Sequence, residues 1–365
     1  MQLMHEFFHC PARSQRFDLF QMKTLVFVLV VFACGNSFSQ EKAVDRVANS
    51  KFERFESSHD AMGVEFKVTV YVENETAAKA AFRQAFFRID QLESILSDYR
   101  SSSETRKLCR SAPHDEWQVI SKDLLAVLKA SQRHFKMTDG KFDPTVGNLT
   151  FLWRQARKKK KLPSSAKIEK AKQSVGFEFI EWNENQQVKL LHKDTRLDFG
   201  GIAKGFAADS VIQLMTERGI KSALVDASGD IVASDPPPGE EAWNIKLDAK
   251  VTGKTTLFKI RNQAIATSGD RFQFIKIDGQ KFSHIVNPET GIGVRGPRSV
   301  TVIAKSGCDA DAFASALSVM GGKAGIEFAD KHDELEALVI ENDANDKEVR
   351  FQSNGIGKYF SNPAR

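Results

Sequence analysis

Asp311 and Ser315 stand four residues apart in VTVIAKSGCDADAFASALSVM, Val300 to Met320, which reads as a strand followed by a helix. A spacing of four puts the carboxylate and the hydroxyl on one helix face. Together they can reach one hard cation, and Mg²⁺ takes oxygen ligands while keeping waters and phosphates in its shell. The same pair also suits a structural role, a carboxylate favouring the helix dipole and a small packing serine. Asp309, nearer the helix start, suits a cap better than a ligand. His284 lies in FSHIVNPETG, Phe282 to Gly291, after a strand and ahead of Asn287-Pro288, which places it at a loop edge. An imidazole there can take a proton from a hydroxyl near neutral pH, although a lone histidine is more often structural. A third set fills DFGGIAKGFAAD, Asp198 to Asp209. Gly200 and Gly201 lack Cβ, so the backbone there can approach a bulky ligand. The helix that follows offers N–H groups to an anion. Lys204 adds positive charge, and Asp198 can accept a hydrogen bond from a sugar or a ring. A strand, a Gly turn and a helix are also a common packing device.

These residues need elements to hold them. A strand over Val188 to Leu197 is expected to run into the glycine pair, with a helix over Gly205 to Arg218 closed by Gly219. Further helices are expected over Thr76 to Leu96, Ser121 to Thr138 (Ser121 as cap, Asp123 in the first turn) and Asp309 to Met320, the last ending at Gly321-Gly322. Strands are expected over Phe66 to Val72, Ala223 to Val225, Ile231 to Ala233, Trp243 to Leu247, Thr256 to Ile260, Phe272 to Ile277, Ser299 to Ala304, Glu336 to Ile340 and Glu348 to Phe351. Asp278-Gly279 is a good hairpin pair between Phe274 and Phe282. Helices and strands interleave irregularly, which argues an α+β fold with a substantially antiparallel sheet.

Several segments in order carry a resemblance. They are HDAMGVEF (His59 to Phe66), ILSDYRSSSETRKL (Ile95 to Leu108), GKFDPTVGNLTFLW (Gly140 to Trp153), DFGGIAKGFAAD, DASGDI (Asp226 to Ile231), ATSGD (Ala266 to Asp270), FSHIVNPETG and the Val300 to Met320 segment. In this order and spacing, from roughly Met62 to Phe360, the chain resembles the FAD:protein FMN transferases, the ApbE flavin transferase family. The resemblance implies mixed, largely antiparallel sheets flanked by helices, in two lobes around a flavin cleft. It implies FAD as substrate, Mg²⁺, and transfer of FMN to a Thr or Ser hydroxyl of another exported protein, releasing AMP. It places Met62, Tyr99, Asp198 and Lys204 against FAD, with Asp143, Gly200 and Ile285 in the same set. Asp143 also suits an Asx-type turn before Pro144. It makes Asp311, Ser315 and the Gly201 carbonyl the metal ligands, and His284 the base. HDAMGVEF resembles the family's opening Met-Gly strand. Four positions depart from the family pattern: Val64 and Ser315 where Thr is usual, Asn287 for Asp, and Glu289 for Arg. Two other functions use the same residues. One is an FAD pyrophosphatase giving FMN and AMP, and the other is a non-catalytic flavin-binding protein.

The chain of 365 residues, 41% hydrophobic, is long enough to bury a large core in one domain or two lobes. Its formal charge of +5 is modest. Only Arg154 to Lys161, RQARKKKK, concentrates basic residues, either as a solvated loop or as a contact for an anionic membrane surface or acidic partner. With no basic-aromatic stripe, a nucleic-acid role has little support. Met22-Lys23 precedes an apolar run, Thr24 to Ala33, too short to span a bilayer. With Ser37 and Ser39 after it, this reads as a secretory signal cleaved before Gln40. Residues 1–39 are therefore expected to be a leader, with Met22 the true start and 40–365 the working domain. The protein is then periplasmic or secreted, or a lipoprotein anchored through Cys34. In the secreted form Cys10 and Cys34 leave with the leader. Cys109 and Cys308 remain, too few and too far apart for a disulfide framework or a zinc site.

Overall fold

A computed structural model describes residues 51–248, 255–269, 274–277, 280–343, 345 and 347–361. The leader with Cys10 and Cys34, Asp270 and the hairpin turn Asp278-Gly279 lie outside the described residues.

The described chain opens with β1 (Glu53–Ala61) and β2 (Val64–Val72), joined as a hairpin. Met62 and Gly63 form its two-residue turn, with φ of 52° and 77°, the left-handed geometry that matches strand twist. The Met-Gly pair, expected within a strand, is thus the corner between two. Next come α1 (Glu75–Leu96), α2 (Glu104–Arg110), β3 (Gln118–Val119) and α3 (Lys122–Met137). Asn74 caps α1 through the Ala77 N–H, and Ser121 caps α3 through the Leu124 N–H, satisfying donors that a helix start leaves open. Then follow α4 (Gly147–Lys159), α5 (Ser165–Lys172), β4 (Ile180–Trp182) and β5 (Gln187–Leu190). The strand expected to reach Leu197 stops at Leu190. Polar residues 192–195 break the apolar run, the His192 carbonyl accepts the Thr195 N–H, and Arg196 bridges to Val146 instead. The segment RQARKKKK is likewise no loop. It is the end of α4, closed by Lys160 with φ 49°.

The remainder runs α6 (Ala203–Glu217), β6 (Ala223–Ala227), β7 (Asp230–Ala233), β8 (Trp243–Asp248), β9 (Thr255–Ile260), β10 (Gln263–Gly269), β11 (Phe274–Ile277), β12 (Gln280–Val286), β13 (Gly293–Arg295), β14 (Arg298–Ala304), α7 (Gly307–Met320), α8 (Gly322–Ala329), β15 (Glu336–Asn342) and β16 (Glu348–Gln352). Gly321 ends α7 as expected, but Gly322 at once opens α8.

Eight strands form the main sheet, ordered β1-β2-β6-β7-β10-β14-β15-β16. Every neighbouring pair in it is antiparallel. Side chains alternate between its faces. Ala264 and Ala266 of β10, Val300 and Val302 of β14, and Ala337 and Val339 of β15 join a core shared with α1, α6 and α7. Ile265, Ile303, Leu338 and Ile340 point the other way, onto Trp243, Ile245, Phe258 and Ile260 of the β8–β9 hairpin. The central strands β10, β14 and β15 are therefore buried on both faces. A second, smaller core joins Leu149, Trp153 and Ala156 of α4, Ala171 of α5, and Phe282 and Val286 of β12. Here β12 lies between β11 and β13 in a separate three-stranded sheet.

Candidate functional site

The starts of α6 and α7 meet because glycine lets them. A Cβ on Gly205 would fall on the Gly307 carbonyl, so only glycine permits this approach. Asp209, one turn into α6, accepts the Gly307 N–H (2.7 Å) and the Cys308 N–H (2.8 Å). It thereby serves the open donors of α7 from another helix. Burial pushes the Asp209 carboxyl up to about 6 against those two hydrogen bonds. On α7 itself, Ser306 accepts the Asp309 N–H and donates to the Asp309 carboxylate. Asp309 also holds buried His134 and pairs with Arg133. It belongs to the cap, as its position predicts.

Two residues further along, Asp311 is buried between the two helices. The Gly205 N–H donates to its Oδ2 (3.2 Å), and Lys204 Nζ lies 3.4 Å from both carboxylate oxygens. Lys204 is also paired with Asp230, the first residue of β7. Burial drives the Asp311 carboxyl up to about 7, with Lys204 pulling against it and Asp230 adding repulsion. Burial alone would discharge Lys204, but the carboxylates of Asp230 and Asp311 outweigh it and raise the ammonium pKa. When both carboxylates are ionised, the two facing one ammonium leave one unit of negative charge. Ser315 follows on the same face of α7, under Gly201. A Cβ on Gly201 would lie 2.6 Å from Ser315 Oγ and 3.5 Å from Phe142.

The turn ahead of α6 is fixed by its own aspartate. Asp198 Oδ1 accepts the Gly200 N–H (2.9 Å), and the Asp198 N–H donates to the Pro144 carbonyl (2.7 Å). This ties DFGG to the FDPTVG turn. There Asp143, buried, accepts the Thr145 N–H (2.8 Å) and hydroxyl (2.6 Å), an Asx turn leading into α4, and burial lifts it to about 6. Asp198 Oδ2 takes hydrogen bonds from Thr150 Oγ1 and Arg154 Nη2, both 2.6 Å. Arg154 also reaches Asp98 (2.7 Å), and its guanidinium lies 4.1 Å from the centroid of the Tyr99 ring. Burial and repulsion from Asp198 raise the Asp98 carboxyl. Tyr99 as a residue is 73% exposed. The Met62 N–H donates to Glu93 (2.9 Å), which pairs with Arg100, tying the hairpin corner to the Tyr99 segment.

Asp311, Ser315, Gly201 and Lys204 are thus brought together, and Asp198, Gly200 and Tyr99 form an adjoining set. His284 and Ile285 enter from β12, His284 exposed within the strand and not at a loop edge. Ser283 Oγ and the neighbouring register shift against β13 interrupt regular pairing there. β12 packs on α7 and α4, the helices that carry Asp311 and Arg154. Asn287 Oδ1 accepts the Glu289 and Thr290 N–H groups, so it holds the turn as an aspartate would. Glu289 pairs with Lys141, which holds its carboxyl below the usual range. Asp230, Arg154, Asp98 and Asp209 are the contributors that sequence reasoning did not single out. Asp230 closes the quoted DASGDI turn and Asp209 the DFGGIAKGFAAD stretch, so their motifs were the available signal. Arg154 was hidden in a basic run.

Among the described residues no three His, Cys, Asp or Glu side chains converge as a metal-holding group. One buried carboxylate with one hydroxyl and a glycine backbone is a sparse oxygen set. It fits a cation that keeps most of its shell as water and phosphate, as Mg²⁺ does.

Residues 62–339 match the model of the ApbE family. The chain is 28% identical over 345 residues to the FAD:protein FMN transferase of Treponema pallidum (strain Nichols), covering 88% of this chain and 91% of that one. It is 27% identical over 271 residues to the protein of the same name from Haemophilus influenzae, covering 70% and 78%. Its fold is similar to that of the flavin transferase ApbE from Vibrio cholerae, with a TM-score of 0.75 and 26% identity over 84% of this chain and 99% of that one. It likewise shares the fold of the Pseudomonas stutzeri flavinyl transferase ApbE, at TM-score 0.75 and 24% identity over 86% and 98%.

Proposed function

The chain belongs to the ApbE family, and from that premise we propose that it transfers FMN from FAD to a Thr or Ser hydroxyl of an exported protein, releasing AMP. The observation that carries this reading is the meeting of Lys204, Asp230, Asp311 and Ser315 beneath the Gly200-Gly201 turn. A diphosphate needs backbone that approaches closely, positive charge, and a place for a counter-cation. The turn and Lys204 offer the first two. Asp311, Ser315 and the Gly201 carbonyl would hold Mg²⁺, which when bound supplies charge neutralisation at the phosphate oxygens.

Tyr99, Met62 and Ile285 would face the flavin, with Asp198 as its polar contact and Asp143 shaping the turn beside it. In the reaction the acceptor oxygen forms a bond to the phosphorus on the FMN side of the diphosphate. The bond to the bridging oxygen breaks, and AMP carries that oxygen away. His284, exposed on β12, would take the hydroxyl proton. Its exposure suits a macromolecular acceptor arriving from outside.

We place the reaction outside the cytoplasm, after removal of residues 1–39. Mass of the mature protein tests this: an N-terminus at Gln40 supports it, and a lipid-modified Cys34 selects the anchored form. The function itself is tested by incubation with FAD and Mg²⁺, with and without an acceptor peptide. A covalently flavinylated peptide is the expected product. Free FMN and AMP as the main products would assign a pyrophosphatase, and intact FAD a flavin carrier.

A further inference from the structure

The lysine run at the end of α4 has no part in the chemistry above. Residues 147–172, spanning α4, its turn and α5, contain nine Lys or Arg and a single acid, Glu169. Glu169 faces Lys172 at 3.6 Å on the same helix. Arg157 to Lys161 are all exposed, as are Lys167 and Lys170 on α5. Leu149, Trp153 and Ile168 turn inward to the small core and fix the two helices against each other. The basic end is therefore a rigidly presented surface. Lys160, at φ 49°, turns the chain, so the four consecutive lysines fan out from one corner. Leu162 stands among them, 38% exposed, and is followed by Pro163.

We propose that this corner docks the protein on an anionic phospholipid surface. Lysines near such a surface gain headgroup attraction one by one, and clusters of this size are sufficient for peripheral binding. An exposed leucine within the cluster adds apolar contact at the headgroup–acyl boundary. A purely acidic protein patch would leave that leucine without a counterpart, so the combination selects lipid. The attraction acts only within about 8 Å at physiological salt, so the corner must lie against the bilayer. Six residues separate Arg154 from Lys160, about 9 Å along a helix. Docking would thus hold the Arg154–Asp198–Tyr99 group close above the membrane, in reach of hydroxyls on membrane-bound acceptors. This proposal goes beyond the transfer reading and does not depend on it.

Sedimentation of the full chain with vesicles tests it. Phosphatidylcholine vesicles are compared with phosphatidylcholine–phosphatidylglycerol vesicles, and any contribution of the N-terminal segment, which parent and variants share, cancels between them. Binding should be confined to the anionic vesicles and be lost in molar salt. Combining Lys158→Gln, Lys159→Gln, Lys160→Gln and Lys161→Gln should lower partitioning by about 100-fold or more. Its melting temperature and its turnover of a soluble acceptor peptide should not change. Leu162→Ser should weaken partitioning several-fold at constant charge. Equal binding to both vesicle types, no binding to either, or unaltered partitioning of the fourfold variant would overturn the proposal. So would capture by polyglutamate in preference to anionic vesicles, which would assign the corner to an acidic protein.

Discussion

Lys204 keeps Asp230 as a partner when Asp311 is removed, so the fold can survive a change that disables the site. Asp311→Ala should therefore retain a cooperative melt but lose Mg²⁺-dependent turnover, measured by AMP release across a Mg²⁺ titration. Full activity in the variant, or in excess chelator, would remove the metal from this position. His284 calls for a different experiment because it is exposed and lies on β12, not on the helices that carry Asp311 and Lys204. His284→Ala should bind FAD with nearly unchanged affinity and slow transfer by about 10²–10⁴-fold, the usual contribution of a general base. The deficit should shrink as pH rises and hydroxide replaces the base. A parallel loss of flavin affinity and rate would instead make His284 a pocket wall.

Glycines set the register between the two helices that build the site, and they differ in what surrounds them. At Gly205 a methyl group meets the Gly307 backbone, which has no side chain to move aside. Gly205→Ala should part α6 from α7, cost about 1–3 kcal/mol, and disable metal and flavin binding together. At Gly325 in α8 the nearest atom is Leu317 Cγ at 3.3 Å. There the gain in helix propensity, about 1 kcal/mol, should leave Gly325→Ala neutral or slightly stabilising in urea melts. Helices with a cap and a clear apolar stripe, such as α1 and α3, were legible in the sequence almost to the residue. The short, polar-rich α5 and the strand halted at Leu190 were not, because tertiary contacts such as Val146–Arg196 decide them. The site followed the same division. Asp311, Ser315 and Lys204 announce themselves by helical spacing and motif. Asp230 and Arg154 join them only through strand order and the seating of α4, which no local spacing encodes.

Among the described residues, burial pushes the carboxyls of Asp143 and Asp209 up to about 6 and that of Asp311 up to about 7, and raises Asp98 as well. Each holds a proton in the native state that the unfolded chain releases near pH 4. The folded protein thus binds more protons than the unfolded one between about pH 4 and 7, and stability from these groups falls as pH rises through that window. Asp209→Asn should flatten this slope, read as the pH dependence of the urea midpoint from pH 4.5 to 7.5 with the slope difference confined below about pH 7. An identical profile in the variant would show that the α7 cap stays ionised throughout. Added Mg²⁺ should flatten the share due to Asp311 as well, since a bound cation favours its ionised form.

The order of the main sheet carries a kinetic consequence. β2 pairs with β6, so Val68 lies opposite Val225, and everything between them must be looped out before the pair can close. Lys204, Asp230 and Asp311 meet only after that closure and the joining of β7 to β10 and β10 to β14. Non-local pairings of this kind form slowly. A chain that has not yet closed these pairs has its carboxylates far apart and is inert toward FAD. The flavin site is thus timed to appear last, and in refolding experiments FAD binding should return with the slowest phase and not with early helix formation.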